Sequence, residues 1–457
     1  MDLSLFYAKK SDFPIRDAFT QETIKMPSAA SMMQKPPKWT GGTFQEFAEE
    51  AFMADPSRPL ALYLHIPFCH HHCTFCPFYI NQTKKNFSQD YTTLVLREIE
   101  LTADILKHVI DKRKVDTIYF GGGTPSDLDE ADMAGLLTSL FDHFNIPKTA
   151  EVTIEGRTTG FSASKAKTWK AAGANRFSLG IQSANTRLRK RLGRLQSREE
   201  LQATLSGIGE SGASLIIDML YGLPEQTEEI LLNDIQFVSE KTPIDGLDLY
   251  ELRIFPGSPL AKAIERGKIA PAPSFEDTAL MFHSAYHALE IQGFRHFSPK
   301  HWRRHPKERS LYNRLASQQC DMIPFGSASG GRLHNIGLGN ARDLKSYTEK
   351  IESGVKPLSR IASSPLHHPS TEFNKILSSY TEWLCLPPIA LWPKSHREFA
   401  AILLQQWQDA GLLFPQNHLD EDPLLMGPND GFRMTSAGYF WNRKLNVLIQ
   451  QFLNTPV

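Results

Sequence analysis

Leu60-Ala-Leu-Tyr63-Leu-His-Ile66-Pro-Phe-Cys69-His-His-His-Cys73-Thr-Phe-Cys76 runs an apolar alternation straight into a cysteine loop. Leu60, Leu62, Leu64 and Ile66 recur with the period of two that marks a strand, and the cysteines follow as C-x3-C-x2-C. Three thiolates on one loop suit three iron corners of a [4Fe–4S] cubane and leave the fourth iron open. Zinc is the competing reading, completed by His65, His70, His71 or His72. Zinc sites use four ligands in pairwise spacing, and the sequence holds no second cysteine pair. The histidines inside the motif read as loop residues, and Cys320 and Cys385 as ordinary buried thiols.

Outward from this loop the chain alternates short apolar strands with helices. A helical pattern over 88–109 leads to a strand at 115–120 that ends in Gly121-Gly122-Gly123. Further strands are expected at 151–154, 176–179, 215–220 and 246–252, with helices over 129–144, 162–172, 198–210 and 228–240 between them. Such alternation gives parallel βαβ units. The predicted fold is therefore α/β, a partial (β/α)6 TIM-like barrel over 56–265, whose chemistry sits where strands end. Residues 1–55 read as an irregular arm broken by Pro27, Pro36 and Pro37. Residues 266–360 read as a barrel extension covering the substrate, with a helix over 275–292 and a glycine-rich stretch over 320–345. A mainly helical accessory domain is expected over 361–457.

Composition narrows the class. The 457 residues suit two or three domains, and 41% hydrophobic content excludes a mainly disordered chain. Fifty basic and fifty acidic residues cancel, so neither nucleic acid nor an anionic membrane is indicated as partner. No apolar leader or membrane span is evident, and a cytoplasmic protein is expected. Five cysteines, three within eight residues, argue for a reducing compartment rather than a disulfide framework.

The motifs in order resemble the coproporphyrinogen dehydrogenase-like branch of the radical S-adenosylmethionine (SAM) superfamily. They are Tyr63 through Cys76, Tyr119-Phe-Gly-Gly-Gly-Thr-Pro125, Ser178-Leu-Gly-Ile-Gln-Ser183 and Ile217-Asp-Met-Leu-Tyr-Gly-Leu-Pro-Glu-Gln-Thr227. The resemblance implies cluster ligation by Cys69, Cys73 and Cys76, with SAM contacts from Gly122, Gly123 and Thr124. It also implies SAM contacts from Glu155, Gln182 and Arg194, a ribose partner in Asp218, and Tyr63 beside the cluster. Glycines after a strand let backbone approach a ligand, and an arginine can pair with the methionyl carboxylate.

Within the branch three groups compete. Oxygen-independent coproporphyrinogen III dehydrogenases carry a further cysteine where this chain has Phe78, and heme chaperones carry a His-Asn-x-x-Tyr-Trp signature absent around 310–316. The chain is most similar to the heme-utilisation group, the anaerobilin synthases, in Cys76-x-Phe-Tyr and in His301-Trp302…Glu308-Arg309…Tyr312-Asn313. That resemblance implies two SAM molecules, one cleaved to a 5′-deoxyadenosyl radical and one supplying a methyl group to heme. The macrocycle then opens to a linear tetrapyrrole and iron is released. A flavodoxin or reductase would deliver electrons, since no dinucleotide fingerprint is present, and a heme- or tetrapyrrole-handling protein is a further partner. Candidate heme contacts lie in the basic, aromatic stretch 294–309. Trp302 or Phe297 would stack on the ring, arginines such as Arg295, Arg303 and Arg309 would pair with propionates, and a neutral histidine, His301 among the candidates, would ligate the iron. A solvated basic loop is the plain alternative. Gly326-Ser-Ala-Ser-Gly-Gly331, with Arg332 and His334, resembles a loop closing over the site. No separate catalytic side chain is identified.

Overall fold

The computed structural model describes residues 1–20, 43–76, 81–84, 86–363, 369–382, 384–415 and 431–455. Pro27, Pro36 and Pro37 of the arm, and Pro77, Phe78 and Tyr79 after the third cysteine, lie outside them.

All six expected strands form: β1 (Leu60–Ile66), β2 (Thr117–Gly122), β3 (Glu151–Arg157), β4 (Arg176–Gln182), β5 (Ser214–Tyr221) and β6 (Gly246–Glu251). They pair in parallel in sequence order. Helices α2 (Phe87–Leu106), α3 (Glu130–His143), α4 (Ala163–Ala171), α5 (Arg198–Gly209) and α6 (Glu228–Lys241) follow α1 (Phe44–Ala54) in the chain and make the crossovers. With helices outside and side chains filling the lumen, β4 is buried at every position, as parallel strands require.

Two departures from expectation matter. The arm is not wholly irregular: α1 is opened by a capping box in which Thr43 and Glu46 bond each other's backbone N–H. The T-x-x-E signal was legible in the sequence. The glycine-rich stretch also supplies strands. After β7 (Arg295–His296) and β8 (His301–Arg303), which run antiparallel on the β6 edge, β9 (Asp321–Phe325) pairs in parallel with the free edge of β1. Antiparallel β10 (Gly330–Leu333), β11 (Ile336–Asn340) and β12 (Leu358–Ser363) widen the sheet to twelve strands. Asp321 fixes the start of β9 by pairing with Arg58 at 3.0 Å and the buried Arg113 at 2.7 Å.

The loop at Gly326 is fastened rather than free. Glu98 on α2, fully buried, accepts from Gly326 N, Asn340 Nδ2, Tyr347 Oη and Lys356 Nζ at 2.6–2.8 Å. Tyr91 Oη donates to the carbonyl of His65 at 2.8 Å and accepts from Ser327 N at 2.8 Å. Gly326 sits at φ +85°, where a Cβ would run into the His65 carbonyl.

The helical region that follows α7 (Phe275–Ile291) and α8 (Leu344–Glu352) contains α9 (Pro369–Glu382), α10 (Arg397–Asp409) and α11 (Asn442–Leu453). It also has a two-stranded ribbon of Cys385–Leu386 with Phe432–Arg433 that the apolar pattern did not show. The first residues pack beneath it. Trp407 Nε1 donates to Phe6 O at 2.9 Å, and Trp441 Nε1 to Pro14 O at 3.0 Å. Among the described residues no helix is long and apolar enough to cross a membrane.

Candidate active site

The loops at the carboxyl ends of β1 to β5 gather a cleft lined by Cys69, Cys73, Cys76, Gly123, Thr124, Glu155, Gln182, Arg194 and Asp218. All but two of the expected cluster and SAM residues therefore meet in one place. Tyr63 and Gly122 do not line it. The Tyr63 hydroxyl bonds His65 Nδ1 at 2.9 Å, and its ring stacks on Tyr119 and Tyr312. Gly122, at φ +114°, lies under the His65 imidazole, where a Cβ would come within 2.7 Å of Cε1. A Cβ at Gly123 would run into the Phe68 backbone. The glycines thus make room for the chain leading to the cysteines, a purpose the sequence reading had given to the ligand.

A salt-bridged clamp holds the cysteine loop. Arg157 donates to Thr124 Oγ1 and to His71 O, both at 3.1 Å, and pairs with Asp127 at 3.3 Å. Asp127 in turn accepts from His70 N at 3.0 Å. Thr124 Oγ1 lies 3.3 Å from Cys69 Sγ. Burial is the main reason the Cys69 thiol is pushed up, with Thr124 and Arg157 opposing it. Neither Arg157 nor Asp127 carried a sequence signal of its own. His70 and His72 are satisfied locally, by Thr83 and by Cys76 O, which fits loop residues. Among the described residues no three His, Cys, Asp or Glu side chains, the three cysteines included, are gathered as a metal-ligand set, though the three thiols line the same cleft. Cys320 and Cys385 are buried and form no disulfide among the described residues, and burial pushes the Cys320 thiol up to about 12.

The opposite wall is charged and incompletely paired. Gln182 stands at φ +69°, in the left-handed region unusual for a side-chain-bearing residue, beside a register shift between β4 and β5. Such strain concentrates at functional positions. Arg194 is 7% exposed, and its Nε and Nη1 are buried with no hydrogen-bond partner among the described residues. Its backbone N–H donates to the carbonyl of Arg189, whose guanidinium donates to Ile181 O and Ser183 O. Burial, with Asp248 and Glu155 nearby, pushes Asp218 up to about 8. Burial also raises Glu155, which accepts from the Tyr119 hydroxyl. A buried guanidinium with free N–H groups facing three thiols is a fitting donor for an anionic ligand beside a cluster.

None of the five proposed heme contacts lines this cleft. Trp302, 1% exposed, is stacked on His296 at 4.2 Å and met edge-on by Tyr286, so it has no open face for a macrocycle. His301 has both nitrogens against carboxylates, Asp248 at 2.9 Å and Glu308 at 3.2 Å. Arg303 lies over the Phe297 ring and is buried. Arg309 donates to Thr149 O, just before β3, at the end of the barrel away from the cysteines. A seven-residue strand separates the two ends by roughly 20 Å. Arg295 is exposed on the short edge strand β7. A basic run looked like a ligand surface because its lone acid, Glu308, gave no hint of being the buried partner of Arg176 and His301.

The radical SAM superfamily model matches residues 63–238. Over 463 aligned residues the chain is 34% identical to an anaerobilin synthase of Escherichia coli O157:H7, covering 100% of this chain and 97% of that protein. The chain belongs to the radical SAM superfamily. Membership implies a [4Fe–4S] cluster and SAM, which the thiol wall and the unpaired Arg194 suit. A heme chaperone, HemW, of Buchnera aphidicola subsp. Schizaphis graminum is 31% identical over 203 residues, 44% of this chain and 52% of its own. Among solved structures, the coproporphyrinogen III oxidase of Escherichia coli superposes with a TM-score of 0.72, covering 93% of this chain and 99% of that chain. At 23% identity this last likeness speaks for the fold. It places this radical SAM enzyme's β1–β6 barrel and helical carboxyl-terminal region in one known architecture.

Proposed function

We propose that this radical SAM enzyme opens the heme macrocycle without oxygen by radical-mediated methyl transfer, yielding a linear tetrapyrrole and free iron. The observation that carries the reading is the full-length relation to an anaerobilin synthase, in a chain whose cleft unites three thiols with an unpaired arginine. Bound together, the cluster and SAM supply the reducing electron and the radical that start the chemistry. The chain's own part is positioning. Cys69, Cys73 and Cys76 would hold the cluster, and Arg194 would receive the methionyl carboxylate. Gly123 and Thr124 would flank the methionyl end, Gln182 and Glu155 would bond the remaining polar groups, and Asp218 would accept from the ribose hydroxyls. The Arg157–Asp127 clamp keeps the loop registered against that wall. Two SAM molecules, a flavodoxin or reductase as electron donor, and a tetrapyrrole-handling partner belong to the same proposal.

The test is anaerobic incubation of reconstituted protein with heme, SAM and a strong reductant, following the Soret band and 5′-deoxyadenosine. Loss of the heme spectrum with a methylated linear product is expected. Heme that stays bound and unchanged, without methylated product, would overturn the reading in favour of a heme chaperone.

A further inference from the structure

A column of charged side chains fills the barrel lumen beneath the cleft. Asp248 on β6 lies directly opposite Asp218 on β5 in the parallel register. His301 on β8 lies opposite Asp248 and bonds it through Nδ1 at 2.9 Å. On its other side, His301 Nε2 is 3.2 Å from Glu308. Glu308, fully buried, is bonded by Arg176 Nε at 3.0 Å, Ser214 Oγ at 2.8 Å and Ser310 N at 2.9 Å. With the imidazole protonated, Arg176 and His301 bring two cations to Glu308 and Asp248, with the buried Glu151 also facing Arg176. A neutral imidazole would leave a net buried negative charge, which is expensive in a low-dielectric lumen. The flanking carboxylates accordingly hold His301 up at about 9 against the opposing effect of burial.

Asp218 stands just outside this set. Among the described residues it has no hydrogen-bond partner. It is faced by Asp248 and Tyr250 from β6, Glu155 from β3, Tyr119 from β2, Arg176 from β4 and the unpaired Arg194 from the segment after β4. On the far side of Asp248 and His301, Glu382 from α9 and Lys300 add one acid and one base. Two carboxyls side by side cannot both ionise freely, so the pair needs one member fixed.

We propose that His301 is a positioning residue for the SAM ribose site. By holding Asp248 through Nδ1, it leaves Asp218 as the carboxyl of the pair that gives up its proton when an adenosyl ribose binds. The proposal rests on the cleft being the SAM site. A ribose diol donates two hydrogen bonds, so it is received by the ionised carboxyl. In the native protein the displaced proton has no carboxylate to move to, since Asp248 is held by His301, and it leaves to solvent. With His301 replaced by Gln, Asp248 loses its cation and takes the proton from Asp218, which then stays in the protein.

The test is calorimetry of S-adenosyl-L-homocysteine binding to the anaerobically reconstituted enzyme near pH 7, in buffers of different ionisation enthalpy. Native protein is expected to release about one proton per ligand, with affinity rising about tenfold per pH unit below the midpoint of Asp218. H301Q is expected to release close to none and to lose that slope. D248N, which removes the repulsion instead, is expected to release close to none while binding as tightly as native protein does at high pH. An H301Q or D248N profile matching native would overturn the assignment, as would native protein releasing no proton. Ligand that does not bind at all would overturn the SAM-site reading itself, a distinguishable failure.

Discussion

Glu98 on helix α2 and Asp218 on strand β5 are both carboxyls turned inward in the same fold, and their surroundings are opposite. Glu98 accepts from four donors, one of them the buried Lys356 ammonium. Asp218 looks across the cleft at Arg194, and burial with neighbouring acids has lifted it to about 8. One region is finished by folding; the other is left for something else to finish. Polar satisfaction therefore separates structure from function better here than burial or charge does, because buried groups left unpaired are retained at a standing cost.

The contrast can be broken hardest at the thiol wall. Cys73→Ala should abolish cluster absorbance and SAM cleavage while leaving the melting temperature of the cluster-free protein nearly unchanged. Visible spectroscopy and 5′-deoxyadenosine assay check this, and retained cleavage would refute the ligand assignment. At the finished region the reverse is expected. Glu98→Gln leaves the Lys356 cation buried without its anion and should destabilise the protein by about 3–5 kcal/mol, read by denaturant unfolding. Cluster content per folded molecule should not change.

Sharper still is Arg194→Met, predicted to weaken SAM binding by about tenfold or more, the worth of a charge-assisted hydrogen bond. Its unfolding temperature should hold or rise, since an unpaired buried cation has been removed. Asp218→Asn should behave likewise, with a pH signature. The folded carboxyl retains its proton up to about pH 8, against 3.8 for an ordinary aspartate, so stability of the ligand-free enzyme falls as pH rises across that window. The Asn variant lacks this loss, so its advantage in melting temperature should grow from pH 5 to pH 8. The smallest effect is expected from Arg309→Ala at the far end of the barrel, which should leave heme affinity unchanged in a Soret titration. A clear loss there would return the basic stretch to the heme site.

The barrel was legible because its signals are local. Leu60 to Ile66 alternate, helices α3 to α6 begin at recognisable caps, and the cysteine spacing announces a cluster loop without reference to anything distant. What was missed depends on partners far along the chain. Asp321 and the residues after it carry glycines that weaken a strand pattern, and β9 forms because Arg58 and Arg113 anchor Asp321 against β1. Trp302 and His301 have the chemistry of heme contacts, and only the tertiary register with β6 shows them turned into the fold. Arg157 gave no sign of its clamp, since Thr124, Asp127 and His71 O converge on it only in three dimensions.

The bond from Trp407 to the carbonyl of Phe6 spans 401 residues of sequence, and this has a consequence for biosynthesis. At about 5–20 residues per second, a ribosome needs roughly 20–80 seconds to travel from one partner to the other. Throughout that interval the emerging Leu3 and Phe6, both buried in the finished protein, lack the carboxyl-terminal helices that cover them. Leu3 and Phe6 thus wait long for their cover, and translation speed itself becomes a determinant of how much of the chain matures.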